Sequence, residues 1–246
     1  MRAIFTFHSI DEKETLLSYS PKLLSVFLGE LENKKIPVCD IVTLLKPETK
    51  CGVTLTFDDG MRSVIKNALP ILQEYGVNAH VFITTGCVNS NKKWPEQGQG
   101  IPGFEMLDWD EIEKLHDSGI YIESHTKTHP DMRMLDISRI EDECMGADEI
   151  IFKRLDRSPE YFAYPFGYHN NCSRDFIRQH YKGGVTTELR MIENGGDHAT
   201  IPRLDSYYFR SEGIINRLDS PAMNAYLYLR WKLRTWRGSH CLPDAE

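Results

Sequence analysis

Apolar positions along the 246-residue chain switch repeatedly between a period of two and a period near 3.6. Residues 2–8 (Arg-Ala-Ile-Phe-Thr-Phe-His) alternate and predict a first strand. Residues 21–34 carry Leu23, Leu24, Phe27, Leu28 and Leu31 at helical spacing, and residues 36–45 read as a short strand plus a turn. Residues 52–57 (Gly-Val-Thr-Leu-Thr-Phe) form the clearest strand, short, β-branched and cut off by Asp58-Asp59-Gly60. A helix over 64–75 follows, with Gly76 as its stop signal, and 77–84 is apolar enough for a strand buried on both faces. After a Gly-, Pro- and Asn-rich loop at 85–105, Asp108 and Glu111 make a capping box that opens a helix ending near Gly119. A strand at 120–123 leads into Ser124-His125. Ser138 and Glu141 read as a second capping box, opening a helix over 138–155, and 161–164 and 184–187 are further short strands. Strands alternating with helices predict parallel strands joined by helical crossovers, in one α/β domain over 1–246. An open doubly wound sheet and a barrel share this pattern.

With 41% hydrophobic and 26% charged residues the composition is that of an ordinary globular chain, which excludes disorder, collagen-like repeats and coiled coil. A net charge of −7 argues against general nucleic-acid binding. No run reaches the roughly 18 apolar residues of a membrane helix, and the first residues lack the apolar core of an export signal. The cysteines at 39, 51, 87, 144, 172 and 241 are scattered without a Cys-x-x-Cys pair, which suits a reducing compartment. Together these predict a cytoplasmic protein. The tail, about 214–237, departs from the rest. Ala222, Tyr226, Leu229, Leu233 and Trp236 form a helical stripe among Arg217, Arg230, Lys232, Arg234 and Arg237. It reads as a terminal helix docked on the fold with solvated charges, with weak contact to an anionic membrane surface as the second reading.

The candidate chemistry gathers at strand ends. Asp58 and Asp59 end one strand, His125 ends another with His129 four residues on, and Pro165-Phe166-Gly167 ends a third. In parallel α/β folds that rim carries the active site. Two histidines and a carboxylate are a common catalytic zinc set. Adjacent aspartates point to different faces, so one can ligate while its neighbour takes a proton, a layout for metal-assisted hydrolysis. His8 ends the first strand on the same rim, whereas His80 falls inside a strand and reads as structural. Trp94 and Trp109 flank the long loop and can stack on a sugar ring, although Trp109 also fits as the first residue of its helix.

The segments Thr-Phe-Asp-Asp-Gly at 56–60, Ser-His-Thr-Lys-Thr-His-Pro at 124–130 and Phe-Ala-Tyr-Pro-Phe-Gly at 162–167 resemble the first three motifs of the polysaccharide deacetylases, carbohydrate esterase family four. The resemblance runs from about His8 to about Arg203. It implies a distorted (β/α) barrel and a divalent metal, usually Zn2+, with Co2+, Ni2+ or Mn2+ as alternatives. It also implies removal of an N-acyl group, typically acetyl, from an amino sugar in a glycan, oligosaccharide or glycan precursor. Carried over by residue, Asp58 is the general base and Asp59, His125 and His129 are metal ligands. The Phe166 N–H helps form the oxyanion hole, and Tyr164, Pro165 and Phe166 line the sugar groove.

Two departures matter. Ala163 stands where the best-known branch has an arginine that orients the base, and Arg203 is the candidate replacement. The late motifs that supply the acid are absent, leaving His169, His180 and His198 as substitutes. Two other readings stand beside the deacetylase: a catalytically silent carbohydrate-binding protein on the same fold, and a deacylase or deformylase of a nucleotide- or lipid-linked sugar.

Overall fold

The structure, a computed structural model, describes residues 1–90 and 103–236, the last three by main chain alone. Trp94 lies outside the described residues. Seven parallel strands make the main sheet: β1 (Arg2–Phe7), β4 (Gly52–Phe57), β5 (His80–Ile83), β6 (Tyr121–Ser124), β7 (Tyr161–Ala163), β8 (Gly183–Val185) and β9 (Leu204–Asp205), in the order β8-β7-β6-β5-β4-β1-β9. The short strands β2 (Ser9–Ile10) and β3 (Ser18–Tyr19) pair separately. Parallel neighbours need crossovers. These include α1 (Pro21–Asn33) and α2 (Ile41–Leu45) between β1 and β4, α3 (Leu69–Glu74) before β5, α4 (Trp109–Asp117) before β6, α5 (Ile137–Leu155) before β7 and α6 (Asn171–His180) before β8. The short α7 (Glu212–Ile215) and then α8 (Pro221–Trp236) close the described chain. Ile201 bridges Val185 of β8, and Leu204 three residues later pairs with Phe5 of β1, so one segment touches both edges of the half-barrel.

Side-chain alternation divides the strands into two layers. Phe5, Phe7, Leu55, Phe57, Val81 and Ile83 pack outward under the helices, with Phe27 of α1 edge-on to Phe5 at 4.7 Å between centroids. Ile4, Phe82, Tyr161, Ala163, Val185 and Ile201 pack inward, joined by Ile41 and Leu44 of α2. The inner face also carries His80, which accepts from the Ile41 N–H at 3.2 Å and approaches Glu123 Oε1 at 3.1 Å. Its contacts are those of a structural histidine.

Several boundaries differ from the sequence reading. Residues 36–45 hold a single bridge, Val38 to Val53, and then α2, capped by Asp40, whose side chain accepts from Thr43 N. α5 starts at Ile137 because Asp136 caps it, accepting from the Arg139 N–H at 2.9 Å, and the Ser138–Glu141 pair is not the cap. The Asp108–Glu111 capping box forms as expected. The tail is two helices because Asp219 is left-handed and Pro221 forces a new start. α8 buries Met223 and Leu227, while Leu229 and Leu233 of the anticipated stripe are exposed. Among the described residues no helix is long and apolar enough to cross a membrane, and Cys39, Cys51, Cys87, Cys144 and Cys172 are free thiols.

Candidate active site

Three loops meet at the carboxyl ends of β4, β6 and β7. β4 hands its last ladder bond to Asp58, whose N–H donates to Phe7 O at 2.9 Å, and the chain then turns at Asp59 with φ 72°. β6 ends with the His125 N–H donating to Ile83 O at 3.1 Å. The next turn folds back on itself: Thr126 Oγ1 accepts from the His129 N–H at 2.9 Å, with φ of 65° at Thr126 and 62° at His129. After β7 comes Phe166, with φ 59°. Four of the eight non-glycine residues with positive φ among those described are therefore at this one place. Each costs about 1–3 kcal/mol and persists only where the surroundings over-determine it.

These turns bring Asp59, His125 and His129 together, all three buried, with one ligand atom from each lying within 4.8 Å of the others. Asp59 Oδ1 is 3.3 Å from His125 Nε2 and 3.6 Å from His129 Nε2. His125 Nδ1 lies 2.7 Å from Ala163 O, an acceptor, so Nδ1 carries the proton and Nε2 faces Asp59. A carboxylate oxygen and two imidazole nitrogens converging in this way fit a divalent metal, zinc foremost by donor type. Burial raises the Asp59 pKa, but the hydrogen bond from His125 and the charges of His8, His129 and His125 outweigh it and hold the carboxyl well below its usual range. Burial lowers the His125 pKa, but the Asp59 hydrogen bond and both aspartate charges bring it above its ordinary value. Burial, then the charge of His125, takes His129 down to about 4, leaving its imidazole neutral and able to ligate.

Asp58 stands beside this cluster, where its charge acts on His125 and His129. Arg203 grips it through two bonds, Nη1 to Oδ1 at 2.7 Å and Nη2 to Oδ2 at 2.6 Å. The same guanidinium donates to Thr56 Oγ1 at 3.1 Å and Thr186 O at 2.9 Å, so its direction is fixed. Arg203 is 0% exposed and Asp58 3%. Burial raises the Asp58 pKa, but the Arg203 charge and hydrogen bond, helped by His125 and His8, keep it below the ordinary carboxylate value. The base candidate is thus ionised at neutral pH.

A family model described as polysaccharide deacetylase matches residues 46–182, more than half of the chain. The chain belongs to the polysaccharide deacetylase family. The matched span includes Asp58, Asp59, His125, His129 and Phe166 and ends before Arg203. The poly-beta-1,6-N-acetyl-D-glucosamine N-deacetylase of Staphylococcus aureus (strain MRSA252) is 26% identical over 182 residues, covering 69% of this chain and 59% of that protein. This deacetylase-family chain spans 47% and 59% of the length of the first curated relatives it matches. Two solved structures share its distorted half-barrel. The Streptococcus pyogenes deacetylase PplD in complex with acetate superposes with TM-score 0.71 at 22% identity, covering 82% of this chain and 91% of that one. IcaB from Ammonifex degensii superposes with TM-score 0.73 at 20% identity, covering 87% and 96%.

The third deacetylase motif is arranged differently from its sequence reading. Ala163 faces inward, so the pleat turns Tyr164 outward, where it packs on Phe162 and donates its hydroxyl to Ala199 O at 2.8 Å. Tyr164 and Pro165 are buried, and neither is an exposed groove residue. Phe166 is half-buried, its ring edge-on to His129 at 4.5 Å. The turn's backbone bonds run from the Gly167 and Tyr168 N–H groups, not from that of Phe166. Gly167 is obligatory here, because a Cβ would sit 2.1 Å from Thr187 Oγ1. The three substitute acids lie elsewhere: His169 packs against Tyr164, His180 stacks on Phe176, and His198 lines a cavity of about 620 Å³ beside Arg2 at the amino end of β1. His8 directly follows β1 at the carboxyl-end rim and is half-buried. Its position at the end of β1 was the available signal. Trp109 is the first residue of α4, with the Arg154 guanidinium 5.4 Å from its ring.

Proposed function

We propose that this chain is a metal-dependent de-N-acetylase of an N-acetylated amino-sugar glycan, with poly-β-1,6-linked N-acetylglucosamine as the leading substrate. The observation that carries this reading is the buried Asp59–His125–His129 cluster beside an Asp58 carboxylate locked by Arg203. The named Staphylococcus relative supports the choice of sugar. Asp59, His125 and His129 would hold a divalent metal, which would supply Lewis-acid polarisation of the amide carbonyl and of water. Asp58 takes the proton from that water as its oxygen adds to the acetyl carbon. The Phe166 N–H, left over by its turn, donates to the oxygen on which negative charge develops. The C–N bond then breaks, and His8 gives its proton to the departing sugar amine, so that acetate and a free amino sugar result.

The reading is tested by metal content and by acetate release. Purified protein is expected to hold one metal per chain, to lose acetate release with a strong chelator and to regain it with Zn2+ or Co2+. Asp59→Asn and His125→Ala are expected to lose the metal. Stoichiometric metal without acetate from poly-β-1,6-N-acetylglucosamine, chito-oligosaccharides or nucleotide-linked N-acetyl sugars would leave a carbohydrate-binding protein instead.

His8→Ala is expected to lower kcat on the glycan by roughly 100-fold at unchanged metal content, the low end of general-acid contributions. On 4-nitrophenyl acetate, whose leaving group needs no proton, the loss should be far smaller. Equal losses on both substrates would remove His8 from the acid role.

A further inference from the structure

Lys127 and Thr128 stand between the two histidines, and their backbone N–H groups both donate to one carboxylate oxygen, Glu143 Oε2, at 3.0 and 2.8 Å. The Thr128 hydroxyl donates to the other oxygen, Oε1, at 2.7 Å. Glu143 lies on α5, 1% exposed, and Arg139 one turn earlier comes within 3.8 Å of Oε1. We propose that Glu143 is a positioning residue for the metal site, holding the 126–129 loop by its backbone and thereby setting the separation and aim of the His125 and His129 imidazoles. The proposal rests on the reading that Asp59, His125 and His129 hold a metal.

The loop needs an external hold because both of its ends are strained. Thr126 and His129 have φ of 65° and 62°, a conformation that L-residues leave unless neighbours prevent it. Two successive N–H groups aimed at one point form a concavity that favours an anion, and a charged acceptor binds them more strongly than a neutral one. The opposite side of the same backbone is held too. Gly86 N–H donates to Lys127 O at 2.8 Å, and a Cβ at Gly86 would stand 2.4 Å from that oxygen. The Lys127–Thr128 backbone is therefore gripped between β5's exit loop and α5. Thr126 Oγ1 carries the hold on to the His129 N–H. Glu143 itself touches neither imidazole nor Asp59 in any of these bonds, so its influence on the ligands runs through the main chain.

The test is zinc affinity, read by competition with a chromogenic chelator, together with the visible absorption spectrum of the Co2+-loaded protein. Glu143→Ala is expected to weaken Zn2+ binding about 10-fold or more, the scale seen when partners of metal ligands are removed, and to alter the Co2+ spectrum. Glu143→Gln keeps a carbonyl oxygen for the two N–H groups and should recover most of the affinity. Thr128→Val removes only the hydroxyl contact and should fall between Glu143→Ala and the unmodified protein. Asp142→Asn removes a neighbouring charge that pairs with the Lys127 and Arg139 side chains, and should change neither readout. A folded Glu143→Ala protein with the original zinc affinity and Co2+ spectrum overturns the proposal. Should that variant not fold, a Thr128→Val protein with both readouts unchanged overturns it equally. Failure of the metal site itself gives a different result: no stoichiometric zinc in the unmodified protein, or zinc bound as tightly after Asp59→Asn.

Discussion

Asp58→Asn is expected to cut kcat by roughly 10²–10⁴-fold, the range for loss of a general base, while metal content stays at one per chain. The amide keeps the shape of the side chain and still accepts one bond from Arg203, but it cannot take the water's proton. The substitution also leaves a fully buried guanidinium without its counter-charge. Breaking a buried pair from one side costs about 3–5 kcal/mol, so a fall in melting temperature should accompany the kinetic loss. Metal analysis, kcat and thermal unfolding on the same preparation separate the two effects. A kcat within tenfold of the original would move the base to another residue. Loss of metal would exchange the roles of Asp58 and Asp59.

Arg203→Met is expected to act on the same carboxylate from the other side. Without the guanidinium, burial is no longer outweighed, and the Asp58 pKa rises. The acidic limb of the kcat/KM profile should therefore move to higher pH, and the plateau should fall because the carboxylate is no longer aimed by two bonds. Stability has its own sign. In the unmodified protein the Asp58 pKa is depressed, so its pairing stabilises the fold above the unfolded carboxylate pKa of about 3.9 and is lost as pH falls through the folded value. In the variant the pKa is raised above the unfolded value. The folded state then binds the extra proton, and the stability penalty, greatest near neutral pH at about 3–5 kcal/mol, shrinks on acidification. Unfolding curves at several pH values read this directly. An unshifted acidic limb would detach Arg203 from the chemistry.

The strands and most helices were legible because their signals are local. Gly52–Phe57 is β-branched and stops at Asp58-Asp59-Gly60, and Asp108 with Glu111 builds its cap from residues three apart. The Asp59–His125–His129 cluster was also legible, since two short motifs carry it and each lies at the end of one strand. Where two neighbouring residues could both cap, as at Asp136 and Ser138, local reading chose the wrong one, because the choice depends on how α5 enters the fold. The tail misled for a similar reason. Its stripe was correctly apolar, but which face docks depends on the surface it meets, and Met223 and Leu227 fill that place.

The sequence by itself determined the parallel α/β order, the strand-end location of Asp58, Asp59, His125 and His129, and the family, because these depend on spacings within a few residues. Ala163 in the third motif made Arg203 a candidate partner for Asp58, but only the tertiary structure decided that these distant groups meet. Arg203 lies 145 positions from Asp58, and no periodicity links them. They meet because the segment after β8 crosses to β1 and drives the guanidinium into the barrel beneath β4. Tyr164 was turned away from the site by the strand's pleat, which fixes one face for Ala163 and the other for its neighbour. Glu143 was invisible in the sequence: its partners are backbone N–H groups, which every sequence has, and only the packing of α5 against the histidine loop selects two of them.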